Sequence, residues 1–330
     1  MSVTFTRRRV LTILAAAAGV PLVMGAGRAQ ARLIKWEGTA LGAPASLALY
    51  HHDETAARDA IAASVAELNR LESILSLYQA DSAISRLNRD GALAHAPAEL
   101  LDLMKDALSV AAISDGAFDP TVQPLWQVYF QHFTSANPSS EGPAAADIAA
   151  ARALLGWRDV AIEGDSIRLT RPGMGVTLNG IAQGYITDRI ADLLRARGFD
   201  RTLVDMGEPK ALSAKPDGSA WRIGIADPTD NSRSVTSVDV VDKAVATSGG
   251  YGTTFDEAMR FTHLIDPTSG TTAPAYQSVT VIAASAALAD GLSTALSVAP
   301  AERRQAILSA AGGVSALFVA GDGRVTTLAS

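Results

Sequence analysis

Asp290 and Thr294, near the C-terminus of this chain of 330 residues, place a carboxylate and a hydroxyl four positions apart on a predicted helix. Positions i and i+4 share one helix face, so the two side chains project the same way. Oxygens of these types are preferred ligands of hard divalent cations such as Mg²⁺. The pair therefore indicates part of a metal site, although the same spacing is also typical of ordinary surface residues on an amphipathic helix.

A glycine-rich turn is the second chemical signal. Gly180 and Gly184 precede a predicted helix at residues 185–197. Glycine allows the backbone to approach a ligand closely. In such a turn the N–H groups at the helix start can face an anion, and a carbonyl can face a cation. The spacing fits a ligand-binding turn and a simple tight turn equally well.

Aromatic side chains and one histidine complete the candidate chemistry. Phe118, Trp126 and Tyr129 lie within a short stretch, where their faces suit either a flat heterocycle or core packing. His263 is one of five histidines. Its usual pKa range suits removal of a proton from a hydroxyl near neutral pH, whereas a lone histidine is also often structural.

Six ordered segments together give the chain its resemblance to a known family. They are residues 77–88, 116–126, 180–185, 246–251, 263–270 and 278–281, the last just before the Asp290 helix. Their amino-acid sequences and their order along the chain resemble those of the FAD:protein FMN transferase (ApbE) family. The resemblance extends from about residue 36 to the C-terminus.

The resemblance implies roles for particular residues. The carbonyl of Gly180 and the side chains of Asp290 and Thr294 would be the protein ligands of Mg²⁺. His263 would be the base or a phosphate contact. The implied contacts to the cofactor are Leu41, Tyr78, Ala117, Phe118, Asp119, Thr177, Gln183 and His263.

The implied reaction is phosphoryl transfer. Mg²⁺ would span the diphosphate of FAD, a Thr or Ser hydroxyl of an acceptor protein would attack the phosphorus on the FMN side, and AMP would leave. The acceptor would be a periplasmic or membrane electron-transfer flavoprotein with an Asp-Gly-x-Ser/Thr-Gly-Ala-type motif. Two alternatives remain: a Mg²⁺-dependent FAD pyrophosphatase that yields FMN and AMP, and a non-catalytic periplasmic flavin-binding protein.

Four positions depart from the usual family pattern. The chain has Leu41 where the family usually has Met, and Thr177 where an Asp is common. Gln183 stands where Lys or Glu is frequent, and Glu208 where a second glycine is usual. Thr177 and Gln183 would thus remove charge near the nucleotide, and Glu208 would remove backbone freedom.

The N-terminus predicts export. Arg7, Arg8 and Arg9 precede an apolar stretch over residues 10–26, which Ala29-Gln30-Ala31 follows. This is a twin-arginine signal pattern, with predicted cleavage after Ala31 and a periplasmic destination. Interruptions in the apolar stretch argue against a permanent membrane span. We therefore divide the chain into a signal peptide, residues 1–31, and one flavin transferase-like domain, residues 32–330.

Composition excludes several other classes of protein. The chain has no cysteine, which excludes disulfides, thiolate metal ligands and cysteine nucleophiles. Its formal net charge is −6, and removal of the four arginines of the signal gives −6 − 4 = −10. A protein this acidic has no general attraction for nucleic acid.

Periodicity and turn signals predict an α+β fold, mainly antiparallel sheet with packed helices and strand–helix crossover units. Helices are expected at residues 55–76, 97–114, 144–155, 185–197 and up to 296. Hairpins are expected at 33–50, 160–170, 211–226 and 316–328, and a strand–turn–helix–strand unit at 175–206.

Overall fold

A computed structural model describes residues 31–272 and 278–330. The predicted signal peptide lies outside the described residues, apart from Ala31. Across these two ranges, none of the helices combines the length and the apolar character that crossing a membrane requires.

The central element is an eight-stranded sheet in the order β1-β2-β6-β7-β10-β11-β12-β13, in which every neighbouring pair is antiparallel. A three-stranded sheet has the order β3-β5-β4, and β8 pairs with β9. The strands are β1 Arg32–Ala40, β2 Ala43–His51, β3 Ala92–Leu93, β4 Val160–Glu163, β5 Ser166–Leu169, β6 Thr202–Asp205, β7 Pro209–Ala211, β8 Trp221–Asp227, β9 Asp230–Val240, β10 Lys243–Gly249, β11 Ser278–Ala283, β12 Ser315–Val319 and β13 Val325–Ala329. This arrangement confirms the predicted α+β class.

The helices are α1 Glu54–Leu75, α2 Ala83–Asp90, α3 Ala98–Ile113, α4 Gln123–Thr134, α5 Ala145–Arg152, α6 Ala182–Ala196, α7 Ala286–Val298 and α8 Ala301–Ala311. α1, α3, α6 and α7 supply much of the main core. Successive side chains of β10 point to opposite faces of the sheet, and each face packs against a different hydrophobic cluster. Ala246 belongs to the main core, whereas Val245 packs in a second cluster with Trp221 of the β8–β9 hairpin.

One predicted strand is absent and one predicted hairpin is wrong. Residues 175–178 form an extended loop, because the side-chain amide of Asn88 takes the place of a neighbouring strand. It donates to the carbonyl of Val176 (2.8 Å) and accepts from its N–H (2.7 Å). The turn at residues 216–218 does not close a hairpin, since β7 and β8 belong to different sheets.

α6 and α7 approach each other closely where Gly184 of α6 meets the start of α7. A Cβ atom on Gly184 would lie 2.2 Å from the carbonyl oxygen of Ala286 and 2.8 Å from the Cα of Ala287. Both contacts are with backbone, so no side-chain rotation could relieve them. The glycine is therefore required by the packing of the two helices.

Gly184→Ala should consequently lower the free energy of unfolding by at least about 1 kcal/mol, because the overlap forces the helices apart. This cost outweighs the better helix propensity of alanine, about 1 kcal/mol. Gly321→Ala is the matched control, since no atom lies within 4 Å of the added Cβ. Urea denaturation of both variants checks the prediction, and equal midpoints would contradict it.

Candidate active site

The first component of the site is formed by α7 and the turn before α6. The Thr294 Oγ1 atom lies 3.4 Å from the carbonyl oxygen of Gly180. Asp290 is 5% exposed, and its Oδ2 atom accepts the N–H of Gly184 at 3.0 Å. The structure thus brings Gly180, Asp290 and Thr294 together across more than a hundred residues of sequence.

The oxygen set fits a hard cation. Gly180 lacks a Cβ atom, which would lie 3.0 Å from Thr294 Oγ1 and 3.3 Å from Cε2 of Phe118. The absence of this atom lets the Gly180 backbone lie close to Thr294, so that one carbonyl and one hydroxyl, with the carboxylate on the same face of α7, supply the ligand types of Mg²⁺. Within the described ranges, no group of three or more His, Cys, Asp or Glu side chains could hold a metal ion. A cation at this position therefore needs the carbonyl, the hydroxyl and further oxygens from substrate or water.

α6 and α7 cap each other. The N–H of Gly184 in the first turn of α6 is accepted by Asp290 of α7. In return, Asp188 of α6 accepts the N–H groups of Ala286 and Ala287, each at 3.0 Å, at the start of α7. A carboxylate at a helix N-terminus satisfies N–H groups that lack partners within the helix. These bonds fix the two candidate ligands of α7 relative to the glycine turn.

The same interactions bear on the two interpretations that the sequence left open for the glycine turn. The N–H of Ala182 donates to the carbonyl of Leu178 at 2.8 Å, and that of Gly184 donates to Asp290. Two N–H groups that an anion-binding turn would offer to a ligand are thus engaged within the protein. The carbonyl of Gly180 is the part of the turn that faces the candidate ligands.

Two neighbours of the candidate ligands were missed by sequence reasoning. Asp188 accepts the ammonium of Lys210 at 2.6 Å, and both side chains are largely buried. Ser248 of β10 lies 3.2 Å from Thr294, with Oγ against Oγ1. The only sequence signals were an Asp four residues after Gly184 and a Ser within a segment that carried the family resemblance. Neither indicates which helix the side chain contacts.

Three of the cofactor contacts implied by the resemblance, Ala117, Phe118 and Asp119, are consecutive and differ in their surroundings. Phe118 is buried beside Gly180 in the main core, whereas Trp126 and Tyr129 pack in a separate cluster with Phe255. The three aromatic side chains therefore do not form one group. Ala117 is half-buried immediately before Phe118.

Asp119 is engaged within the protein. Its Oδ1 accepts the N–H of Thr121 at 2.8 Å and the hydroxyl of the same residue at 2.6 Å. Burial raises the pKa of the Asp119 carboxyl, and the hydrogen bonds from Thr121 act in the opposite direction. Thr121 in turn accepts the N–H of Gly156 at 2.8 Å. The carboxylate thus shapes the loop that presents Phe118.

Glu208, which stands where the family usually has a second glycine, does not strain the backbone. The left-handed conformation at this corner belongs to Gly207, with φ of 111°, and a Cβ there would lie 2.5 Å from the amide nitrogen of Gln183. Glu208 is buried, and its Oε2 accepts the N–H of Thr247 at 3.0 Å. Gln183 is thereby placed against the β6–β7 corner, and Glu208 connects that corner to β10.

The remaining predicted contacts lie on loops around the helices. Leu41 and Gly42 form the two-residue turn between β1 and β2, with φ of 47° and 78°. A positive φ is unusual for leucine. The N–H of Leu41 donates to Oε1 of Glu72 at 2.5 Å. Tyr78 follows α1 and is 63% exposed. Thr177 lies in the extended loop, where its Oγ1 accepts the N–H of Asn179 at 3.2 Å.

His263 lies on the segment that follows β10. Its backbone N–H and its Nδ1 atom both lie 3.0 Å from the carbonyl oxygen of Thr253. A carbonyl only accepts, so Nδ1 carries a proton and, in the neutral ring, Nε2 carries the lone pair. The half-buried ring is thus held in the tautomer that a base acting through Nε2 requires.

Curated relatives are similar to this chain over most of its length. A curated relative from Vibrio cholerae, named FAD:protein FMN transferase, is 33% identical over 254 residues, which cover 74% of each chain. One of the same name from Salmonella typhimurium is 32% identical over 258 residues, 74% of this chain and 73% of the relative.

Solved structures are similar over most of the fold. The apo flavinyl transferase ApbE of Pseudomonas stutzeri aligns with a TM-score of 0.75 and 33% identity, covering 90% of this chain and 96% of the other. The flavin transferase ApbE of Vibrio cholerae aligns with a TM-score of 0.75 and 28% identity. The model of the ApbE family matches residues 41–318. With a match that spans most of the sequence and the same fold, this chain belongs to the ApbE family.

Proposed function

We propose that this protein is an FAD:protein FMN transferase that uses Mg²⁺ to move FMN from FAD to a Thr or Ser hydroxyl of an acceptor protein, with release of AMP. The observation that carries this proposal is the meeting of Gly180, Asp290 and Thr294 beside the buried ring of Phe118. The curated relatives that bear the transferase name support the assignment.

The chain supplies positions for both halves of the substrate. Asp290, Thr294 and the Gly180 carbonyl would hold the cation, which when bound offsets the charge of the diphosphate during transfer. Phe118 offers an apolar ring next to this set, and Tyr78 offers an exposed ring on another loop. Apolar and aromatic surfaces of this kind suit the flat ring systems of FAD.

His263 would act as the general base. With Nδ1 donating to Thr253, the neutral ring would accept the proton of the acceptor hydroxyl at Nε2. The hydroxyl oxygen then forms a bond to the phosphorus of the FMN half. The bond between that phosphorus and the bridging oxygen breaks, and AMP leaves with the electron pair.

Incubation of residues 32–330 with FAD, Mg²⁺ and an acceptor that carries the Asp-Gly-x-Ser/Thr-Gly-Ala-type motif tests the proposal. We expect a fluorescent acceptor band after denaturing electrophoresis, together with an equal amount of AMP. An acceptor whose Thr or Ser is changed to Ala is the control and should remain unlabelled. AMP and FMN without labelled acceptor would instead establish a pyrophosphatase, and intact bound FAD would establish a carrier.

We also propose that the chain is exported by the twin-arginine route and acts on a periplasmic or membrane electron-transfer protein. The support is the signal pattern at Arg7 and Arg8. Cell fractionation of the full-length chain, with Arg7 and Arg8 both changed to lysine as the comparison, tests the export. Equal periplasmic yields of the two would contradict it.

A further inference from the structure

We infer that Ser248 is a positioning residue that, when a cation is bound, accepts the proton of Thr294 and so leaves the lone pairs of that hydroxyl for the cation beside the Gly180 carbonyl. Ser248 lies on β10, outside the turn and the helix that carry the candidate ligands, and is 7% exposed. This inference rests on the cation site of the proposed function. It adds to that site a residue that does not itself bind the cation.

Three hydroxyls form a continuous hydrogen-bonded chain. The Thr294 Oγ1 atom lies 3.2 Å from Ser248 Oγ, which lies 2.7 Å from Ser293 Oγ. The hydroxyl of Ser293 in turn donates to the backbone carbonyl of Asp290 at 2.9 Å. This series of hydrogen bonds thus connects the side chain of Thr294 to the backbone of Asp290.

The last member fixes the direction of the bond between Ser293 and Ser248. A carbonyl oxygen accepts and cannot donate, so the single proton of Ser293 is directed at Asp290. Ser293 must then accept from Ser248. With its own proton committed to Ser293, Ser248 can interact with Thr294 only as an acceptor.

This direction decides what Thr294 offers to a ligand. Its proton has two neighbouring acceptors, Ser248 Oγ at 3.2 Å and the carbonyl oxygen of Gly180 at 3.4 Å. A cation bound to the Gly180 carbonyl and to Thr294 excludes a proton between those two oxygens. Ser248 is then the acceptor that remains, and it holds the Thr294 proton away from the cation. Loss of Ser248 removes this acceptor from a largely buried site.

Ser248→Ala should therefore weaken cation binding without removing a ligand. Partners that orient a metal ligand typically contribute about 10- to 100-fold to metal affinity. We expect the dissociation constant for Mn²⁺, measured by electron paramagnetic resonance on metal-free protein without nucleotide, to rise by about 10-fold. The Mg²⁺ concentration that gives half-maximal transfer should rise by a similar factor.

Ser297→Ala is the matched control. Ser297 is also a buried serine near this chain of hydroxyls, but its Oγ donates to the backbone carbonyl of Ser293 at 2.7 Å and takes no part in the chain. It should lower the melting temperature about as much as Ser248→Ala and leave Mn²⁺ affinity unchanged. Ser293→Ala, which removes the acceptor of Ser248, should weaken Mn²⁺ binding in the same direction and serves if Ser248→Ala does not fold.

The outcomes test the role of Ser248 and the existence of the cation site separately. Mn²⁺ affinities of Ser248→Ala and Ser293→Ala equal to that of Ser297→Ala would overturn the role of Ser248. Asp290→Asn tests the cation site independently. If that variant binds Mn²⁺ as the unchanged protein does, the assignment of the site itself fails, and with it the basis of the inference.

Discussion

Asp290→Asn should reduce the rate of FMN transfer by roughly a hundredfold or more while the protein remains folded. The cation contributes several kcal/mol of charge stabilisation to a phosphoryl transfer, and Asp290 is the carboxylate that would hold it. Asparagine keeps a side-chain oxygen that can accept the N–H of Gly184, the bond present at 3.0 Å. The variant therefore removes the charge and preserves the cap of α6.

Asp290→Ala removes the charge and the cap together, so it is the comparison. We expect it to lose as much activity and in addition about 1 kcal/mol of stability, the usual cost of losing a helix cap. Initial rates of acceptor labelling and urea denaturation on the same preparations measure both effects. EDTA should abolish the activity of the unchanged protein, and added Mg²⁺ should restore it. Transfer by Asp290→Asn at the normal rate would show that this carboxylate does not hold the cation.

His263→Ala should lower the rate of transfer by about 10²–10⁴-fold, the range that a general base contributes. His263→Asn is the sharper variant. The side-chain amide of asparagine can donate to the carbonyl of Thr253 as Nδ1 does at 3.0 Å, but it has no lone pair at the position of Nε2. Both variants should be inactive if Nε2 removes the proton from the acceptor.

A structural histidine would give the opposite pattern. In that case His263→Asn would retain most activity because the bond to Thr253 survives, whereas His263→Ala would melt at a lower temperature. Acceptor labelling, FAD binding and melting temperature on the same preparations distinguish the two. Near-normal transfer by well-folded His263→Asn would remove the base from the mechanism.

Local sequence patterns predicted much of the fold. The apolar residues of α1 recur at helical spacing, and Leu68, Leu71 and Leu75 are buried as that spacing requires. The hairpin of β1 and β2 and the hairpin of β4 and β5 lie within a few residues of their expected bounds. Such elements follow from side-chain periodicity and turn residues close together in the sequence.

Errors occurred where a distant partner replaced the local signal. Residues 175–178 carry a strand-like pattern, yet Asn88 satisfies the backbone of Val176 and no strand forms there. α4 was missed for a different reason, because its segment was interpreted only through its aromatic side chains. Its Pro124 lies in the first turn, where a missing N–H has no cost.

The candidate site divides in the same way. The sequence by itself determined that Asp290 and Thr294 share a helix face, because i and i+4 stack in any α-helix. Together with the family resemblance, it also selected Gly180 and His263. Only the tertiary structure decided that Gly184 binds Asp290, that Asp188 caps α7 and that Ser248 reaches Thr294. These contacts join residues 46 to 106 positions apart, and they depend on how helices and strands pack rather than on local periodicity.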